Sequence, residues 1–199
     1  MITVVMPSYL GEYPTAATNR DSKFIRAIQS VIDNSFQNWE LIVISDGCDK
    51  TIELLKQFDD SRIKLRSVVK QKLWSGLIRN VGIKNAQYDW ITYLDTDDMF
   101  GTDHLQIIVD NIDNIDWVWF NELIYQDEKF IERECNINIM GRCGTSNISH
   151  KKHLALWNLS NDYGQDWMFV KNLKKASLNF KKIPTPSYLV CHIPEILDV

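Results

Sequence analysis

Short apolar runs alternate with segments of helical periodicity along the first two thirds of the chain. The runs are rich in β-branched and aromatic residues, as strands are, and they cover residues 2–6, 39–45, 62–68, 90–94 and 116–125. Pro7 is expected to end the first strand, and residues 126–128 are expected to form a polar hairpin after the last. The pattern predicts an alternation of strands and helices.

Between the runs, apolar side chains fall on single helical faces. The first helix is predicted to begin at an N-cap of Asp21 or Ser22, and the second at Asp49. Their predicted inward faces carry Phe24, Ile25, Ile28, Val31 and Ile32 in the first helix, and Ile52, Leu55 and Phe58 in the second. Further helices are predicted over residues 75–85, 102–112 and 167–176, and Asp166 is a candidate N-cap for the last of them.

This order of elements indicates an α/β fold with a mostly parallel central sheet and helices on both faces. No Pro- or Gly-rich linker and no internal repeat divides residues 1–199, so the chain is predicted to be a single domain. Ligands of such sheets bind at the carboxyl ends of the strands. Three polar clusters follow predicted strands there: "PSY" at 7–9, "SDGCD" at 45–49 and "DTDD" at 95–98. A solvated turn or a helix cap is the simpler interpretation for Asp98 and Asp103.

Composition and charge narrow the class of protein. Of the 199 residues, 45% are hydrophobic and 24% are charged, which is ordinary for a globular protein with a core. The net charge of −4 argues against a nucleic-acid partner, since binders of nucleic acid carry a basic surplus. No apolar run approaches the roughly 20 residues that span a bilayer, and the N-terminus lacks a signal-peptide pattern. A cytoplasmic protein without a transmembrane segment is expected.

The four cysteines are expected to be reduced thiols, because no CxxC pair or dense disulfide pattern is present. Cys135, Cys143, His150 and His153 follow one another in a zinc-finger-like order. The spacing fits known zinc sites poorly, and the histidines of "SHKKH" are interpreted as surface residues at a helix start.

The "DTDD" cluster places three aspartates within four residues directly after a predicted buried strand. Such crowding is repulsive unless a cation, a proton or solvent separates the charges. The chain has no P-loop and no GxGxxG turn, and an EF-hand fails because Phe100 and Gln106 stand where glycine and glutamate are required. Hard oxygen ligands suit Mg²⁺ or Mn²⁺ bridging the phosphates of a nucleotide. The cluster therefore predicts a divalent-cation site.

Four segments together resemble the GT-A fold, family-2-like glycosyltransferases, which use nucleotide-diphosphate sugars as donors. The segments are "VVMPSY", "ELIVISDGCDKT", "SGLIRNVGIKNAQYDWITYLDTDD" and "YGQDW", in that order. The resemblance covers residues 1–167. It implies a nucleotide-sugar-binding half over residues 1–100 and an acceptor and catalytic-base half over residues 101–199.

The resemblance also implies residue roles on the donor side. Pro7, Ser8 and Tyr9 would line the base and ribose, Asp46 would accept a hydrogen bond from uracil N3, and Arg79, Asn80, Asp95 and Thr96 would contact the donor. The family usually has two acids where this chain has Ser45 and Asp46. The alternative interpretation of Arg79 and Asn80 is that they are polar residues on the solvent-exposed face of a helix. A UDP-sugar is the expected donor.

For catalysis, the resemblance makes Asp166 the general base of an inverting transfer of a hexose to a hydroxyl acceptor. Asp97 would be the direct metal ligand, and His192 a third ligand for Mn²⁺ or Mg²⁺. Alternatives from other classes are a sugar nucleotidyltransferase and a sugar-nucleotide-binding module without transferase activity.

The acceptor is expected to be a saccharide or another hydroxyl compound, contacted by residues 138–157. Within and beyond that segment, Gly141 and Gly144 suggest a bent loop, and Arg142, Trp157 and Trp167 are candidate sugar contacts. Trp39, Trp90 and Trp117 are better explained as strand packing. The basic run at residues 171–182 is compatible with peripheral contact with an anionic membrane, but a solvated helix face is the favoured interpretation.

Overall fold

The computed structural model describes residues 1–14, 16–72, 75–126, 129–159 and 164–191. Its strands are β1 (Ile2–Ser8), β2 (Trp39–Asp46), β3 (Ile63–Val68), β4 (Trp90–Tyr93), β5 (Met99–Phe100), β6 (Trp117–Gln126), β7 (Lys129–Arg133), β8 (Ile148–Lys151) and β9 (Phe180–Val190). Its helices are α1 (Arg20–Ile32), α2 (Asp49–Leu55), α3 (Gly76–Asn85), α4 (His104–Val109) and α5 (Gln165–Ala176). A 3₁₀ turn covers Thr145–Asn147.

The nine strands form one sheet in the order β3-β2-β1-β4-β8-β6-β9-β5, with β7 paired to β6. Strands β3, β2, β1 and β4 are parallel neighbours, as the alternation predicted. Beyond β4 the sheet is mixed, because β8 runs antiparallel to both β4 and β6 whereas β6 and β9 are parallel. The sheet is continuous through both predicted halves of the chain.

Two apolar layers cover the two faces of the sheet. Successive side chains of a strand point to opposite faces, so neighbouring residues join different layers. In β1, Val4 and Met6 join the cluster that contains α1, whereas Val5 joins the cluster that contains α3 and α5. Parallel strands buried on both faces are apolar along their whole length, which explains the continuous apolar runs. The predicted α/β class with helices on both faces is confirmed.

Several local predictions are wrong. Pro7 does not end β1, because β4 pairs only with residues up to Val5 and the proline nitrogen faces no strand at that edge. Helix α1 begins one residue before Asp21, after Asn19 in the left-handed conformation (φ 50°). Helix α2 begins at Asp49 itself, with Cys48 as its N-cap.

Within the described residues, no helix is long and apolar enough to cross a bilayer.

Candidate active site

A cleft of about 590 Å³ lies at the carboxyl ends of β1, β2 and β4. Eight of the predicted donor and metal residues line it: Pro7, Ser8, Tyr9, Asp46, Arg79, Asp95, Thr96 and Asp97. Asn80 does not line the cleft, and His192 lies outside the described residues. The carboxyl edge of the parallel strands therefore gathers residues that are up to 90 positions apart in the sequence.

Helix α3 holds Arg79 against the floor of this cleft. Gly82 lets the helix approach the sheet, since a Cβ there would lie 2.4 Å from a methyl group of Val5 and 3.0 Å from one of Ile44. Arg79 Nη2 donates to Asp95 Oδ1 at 2.9 Å, and its guanidinium lies 5.0 Å from the centroid of the Trp157 ring. The side chain is only 8% exposed, so its charge acts in a largely dry environment.

Asn80 contacts the backbone of Trp157 instead of the cleft. Its Nδ2 donates to the backbone oxygen of Trp157 at 2.9 Å, and its Oδ1 accepts from the backbone nitrogen of Trp157 at 2.8 Å. These two bonds fasten α3 to the segment that precedes α5. The structure thus gives Asn80 a positioning role between the two parts of the site, rather than a place in the lining of the cleft.

At the other end of the cleft, Asp46 ends β2 and is almost fully buried. Its Oδ2 lies 2.6 Å from Lys70 Nζ, and its Oδ1 accepts from the backbone nitrogen of Gln71 at 2.7 Å. The Lys70 ammonium also lies 3.9 Å from the centroid of the Tyr9 ring. The carboxylate predicted to recognise uracil is therefore held in place by two donors from the segment after β3.

The "DTDD" turn has two kinds of carboxylate. Asp95 and Asp97 are partly exposed to the cleft, whereas Asp98 is 5% exposed and accepts from Tyr188 Oη at 2.8 Å and from the backbone nitrogen of Cys191 at 2.7 Å. Burial, reinforced by the charges of Asp97 and Asp95, raises the pKa of Asp98 well above its ordinary value. The interpretation of Asp98 as a solvated residue is wrong, because this side chain anchors the turn to the end of β9. Asp103 is the N-cap of α4, as predicted.

The turn fits a hard divalent cation, although it does not form a complete metal site by itself. No group of three or more histidine, cysteine or acidic side chains is close enough to enclose a metal in the part of the chain that the structure describes. The two cleft-facing carboxylates offer oxygen ligands, and Mg²⁺ and Mn²⁺ commonly take one or two carboxylates and complete their shell with substrate phosphates. Arg26 Nη2 donates to the backbone oxygen of Asp97 at 3.0 Å and so fixes the turn from outside.

A second cleft of about 390 Å³ adjoins the first, and Asp95 lines both. Asp166 lies in its wall and accepts a hydrogen bond from Thr145 Oγ1 at 2.5 Å. Burial raises the pKa of Asp166, while Arg79 and the Thr145 hydroxyl oppose that rise. Asp166 is not the N-cap of α5: that position belongs to Gly164, and Asp166 lies in the first turn of the helix.

The predicted acceptor residues divide between this cleft and the core, except Trp167, which is half-buried on α5 with Lys171 Nζ 5.1 Å from the centroid of its ring. Gly141 (φ 76°) and Gly144 bend the loop, and Arg142 lines the second cleft. Trp157 is not a surface platform for a sugar, because it is 2% exposed and stacks on Phe169 with 4.0 Å between ring centroids. The strand tryptophans are buried, as predicted: Trp39, Trp90 and Trp117.

The histidine of the zinc-like pattern also lies in the core. His150 belongs to β8 and is fully buried, so its interpretation as a surface residue at a helix start is wrong. Its Nε2 lies 2.7 Å from Tyr93 Oη, and its Nδ1 lies 2.9 Å from the backbone oxygen of Lys151. Both ring nitrogens are occupied, which leaves none for a metal.

Sequence patterns missed three residues of the site. Lys70 and Thr145 each contact a predicted site carboxylate, and Tyr188 donates to Asp98 in the "DTDD" turn, yet none of the three belongs to a recognised motif. They come from the loop after β3, from a 3₁₀ turn and from β9, which only the tertiary fold brings to the site. No local pattern in the sequence signals these contacts.

Comparison with known proteins places the chain among glycosyltransferases. The profile of the family described as Glycosyl transferase family 2 matches residues 15–172. An uncharacterised glycosyltransferase of Haemophilus influenzae is 35% identical over 109 residues, which are 53% of this chain and 40% of that protein. The UDP-Glc:alpha-D-GlcNAc-diphosphoundecaprenol beta-1,3-glucosyltransferase WfgD of Escherichia coli is 30% identical over 134 residues, covering 66% of this chain and 49% of WfgD.

The fold matches solved structures over nearly its whole length. Staphylococcus aureus TarS (residues 1–349) superposes with a TM-score of 0.75 at 14% identity, covering 95% of this chain and 60% of TarS. The TarS complexes with UDP and with UDP-GlcNAc match it with a TM-score of 0.76. These likenesses confirm the predicted GT-A fold. The chain spans half or less of the length of the two sequence relatives, about 60% of residues 1–349 of TarS and 36% of the longer TarS structure.

Proposed function

This chain belongs to glycosyl transferase family 2, and from that membership we propose that it transfers a hexose from a nucleotide-diphosphate sugar to a hydroxyl acceptor. A UDP-sugar is the proposed donor, a saccharide or another hydroxyl compound the proposed acceptor, and inversion at the anomeric carbon the proposed stereochemistry. No role in nucleic-acid binding is proposed, and neither is membrane contact. The division into a donor half (1–100) and an acceptor half (101–199) remains part of the proposal.

One observation carries this proposal: Asp95 lies in the wall that the two clefts share. On one side, the larger cleft collects the residues predicted to bind a nucleotide. On the other, the smaller cleft contains Asp166, a partly buried carboxylate with a raised pKa. A group-transfer enzyme needs this arrangement, because the bond to be broken must lie between the donor subsite and the group that activates the acceptor.

Support for a uridine nucleotide comes from the base end of the cleft and from the relatives. Asp46 is an acceptor placed at the end of β2, where it can take the N3–H of uracil. WfgD is named as a UDP-Glc glucosyltransferase, and TarS has been solved with UDP and with UDP-GlcNAc in the same fold. Both relatives extend beyond the matched region, so the whole enzyme's activity is inferred here from the domain.

In the proposed reaction, Asp166 takes the proton of the acceptor hydroxyl as its oxygen attacks the anomeric carbon. A raised pKa makes this carboxylate a stronger base than an exposed aspartate, and the Thr145 hydroxyl orients it. Arg79 contributes a fixed positive charge where the diphosphate becomes a leaving group. Asp97, together with His192 as predicted from the sequence, would hold Mg²⁺ or Mn²⁺, and that cation would neutralise the diphosphate when bound.

The test is a nucleotide-release assay over a panel of UDP- and GDP-linked hexoses in the presence of Mn²⁺. Release of UDP, stimulated by added sugar or glycan acceptors, would support the proposal. Slow release from one UDP-sugar without an acceptor would identify the donor alone. Tight UDP binding with no turnover under any acceptor would instead favour the sugar-nucleotide-binding module, and formation of a UDP-sugar from UTP and a sugar phosphate would favour a nucleotidyltransferase.

A further inference from the structure

One lysine contacts both side chains that are expected to bind the base of the donor nucleotide. Lys70, in the segment after β3, places its ammonium 2.6 Å from Asp46 Oδ2 and 3.9 Å from the centroid of the Tyr9 ring. Tyr9 is the predicted aromatic face for the base, and Asp46 is the predicted acceptor for its N–H. All three side chains line the same cleft.

A base and this ammonium cannot hold these positions at once. An aromatic ring stacked on Tyr9 would lie at about the height above the ring that Lys70 Nζ already occupies. The carboxylate offers little room for a second partner, because its side chain is 9% exposed and its other oxygen accepts from the backbone nitrogen of Gln71. Lys70 itself is 45% exposed, so its side chain has solvent into which it can withdraw.

We propose that Lys70 is a built-in competitor of the donor base, which sets the affinity of the cleft for the nucleotide. This inference rests on the proposed function, because it takes the larger cleft as the donor site. Before the base binds, the ammonium neutralises the buried carboxylate and covers the tyrosine ring. When the base binds, its N–H replaces the ammonium on Asp46 and its ring replaces it on Tyr9.

If Lys70 competes with the base, removing this lysine should strengthen binding of the base instead of weakening it. Removing a lysine from a diphosphate site normally weakens binding, since the ligand is an anion. Here Lys70→Met, which keeps the length of the side chain and removes its charge, is expected to strengthen binding of the base. In wild type the base must displace a half-exposed ion pair and a cation–π interaction, and their absence from the variant corresponds to about a threefold to tenfold decrease in Kd.

Uridine is the decisive probe because it is uncharged and does not respond to the lost positive charge of the cleft. Calorimetric titration of uridine and of UDP into wild type and Lys70→Met is expected to give a lower Kd for uridine in the variant. Lys72→Met is the matched control, since it removes the same charge from the same cleft. It is expected to weaken UDP binding and to leave the Kd for uridine unchanged. Lys70→Arg keeps the charge and is expected to bind uridine as wild type does.

An equal or higher Kd for uridine in Lys70→Met, with UDP still binding to wild type, would overturn the role of Lys70 and leave the donor site intact. A uridine Kd lowered equally by Lys72→Met would also overturn it, because the effect would then be one of general charge. Failure of both wild type and Lys70→Met to bind either ligand would overturn the donor assignment together with this inference.

Discussion

Arg79 and Asp95 form an ion pair, with 2.9 Å between Nη2 and Oδ1, that joins α3 to the turn after β4. Asp95 lies in both clefts, and Arg79 also opposes the rise that burial causes in the pKa of Asp166, which lines only the second cleft. One guanidinium thus acts on the donor side and on the acceptor side.

Arg79→Lys is expected to lower kcat/KM by about tenfold or more, the equivalent of one charge-assisted hydrogen bond. Lysine keeps the charge but not the planar fork that reaches Asp95 while lying beside Trp157. Steady-state kinetics with a UDP-sugar measures the effect. Arg66→Lys, at an exposed position of β3, is the matched control, and an equal loss in both variants would contradict the role of the ion pair.

Asp166→Asn is expected to lower turnover by about 10²–10⁴-fold, the usual contribution of a general base, while the Kd for UDP stays unchanged. The amide cannot accept the proton of the acceptor hydroxyl, but the donor cleft does not include this residue. Turnover and UDP titration on the same preparation separate the two effects. Wild-type turnover in the variant would exclude Asp166 as the base.

The pH profile should show the raised pKa of Asp166. A base is active when ionised, so kcat/KM is expected to rise with pH through an acid limb above the ordinary carboxyl pKa of 3.8. The Thr145 hydroxyl stabilises the ionised form, and Thr145→Val should therefore move the limb to higher pH and lower activity on its acid side. Ser146→Ala, in the wall of the same cleft, should leave the limb in place. If Thr145→Val leaves the acid limb at the same pH, the limb does not report the ionisation of Asp166.

Asn80→Ala is expected to lower the free energy of unfolding by about 1–3 kcal/mol, because it leaves the backbone N–H and C=O of Trp157 without their partner in a buried site. Chemical denaturation measures this. Asn85→Ala, at the exposed end of the same helix, is the control and should change stability by less than about 0.5 kcal/mol. If Asn80→Ala and wild type have the same free energy of unfolding, Asn80 does not fasten α3 to Trp157.

The sequence predicted the parallel part of the fold and the donor cleft well, for a physical reason. Strands buried on both faces need continuous apolar runs, and their carboxyl ends converge whatever lies between them, so "PSY", Asp46 and "DTDD" had to meet. The antiparallel strand β8 was missed because "ISHK" contains two polar residues and a lysine, and its burial depends on the Tyr93–His150 contact. Contacts such as Thr145 with Asp166 depend on that same part of the fold, so no local pattern encodes them.

The measurement that tests the account most directly is a calorimetric titration of UDP and GDP, with and without Mn²⁺, into wild type and Asp97→Ala. We predict that wild type binds UDP in preference to GDP, that Mn²⁺ strengthens this binding, and that Asp97→Ala loses the Mn²⁺ effect. GDP preference would contradict the role of Asp46 but keep the enzyme class. UDP binding that is independent of Mn²⁺ and unchanged in Asp97→Ala would contradict the metal-bridged donor site itself.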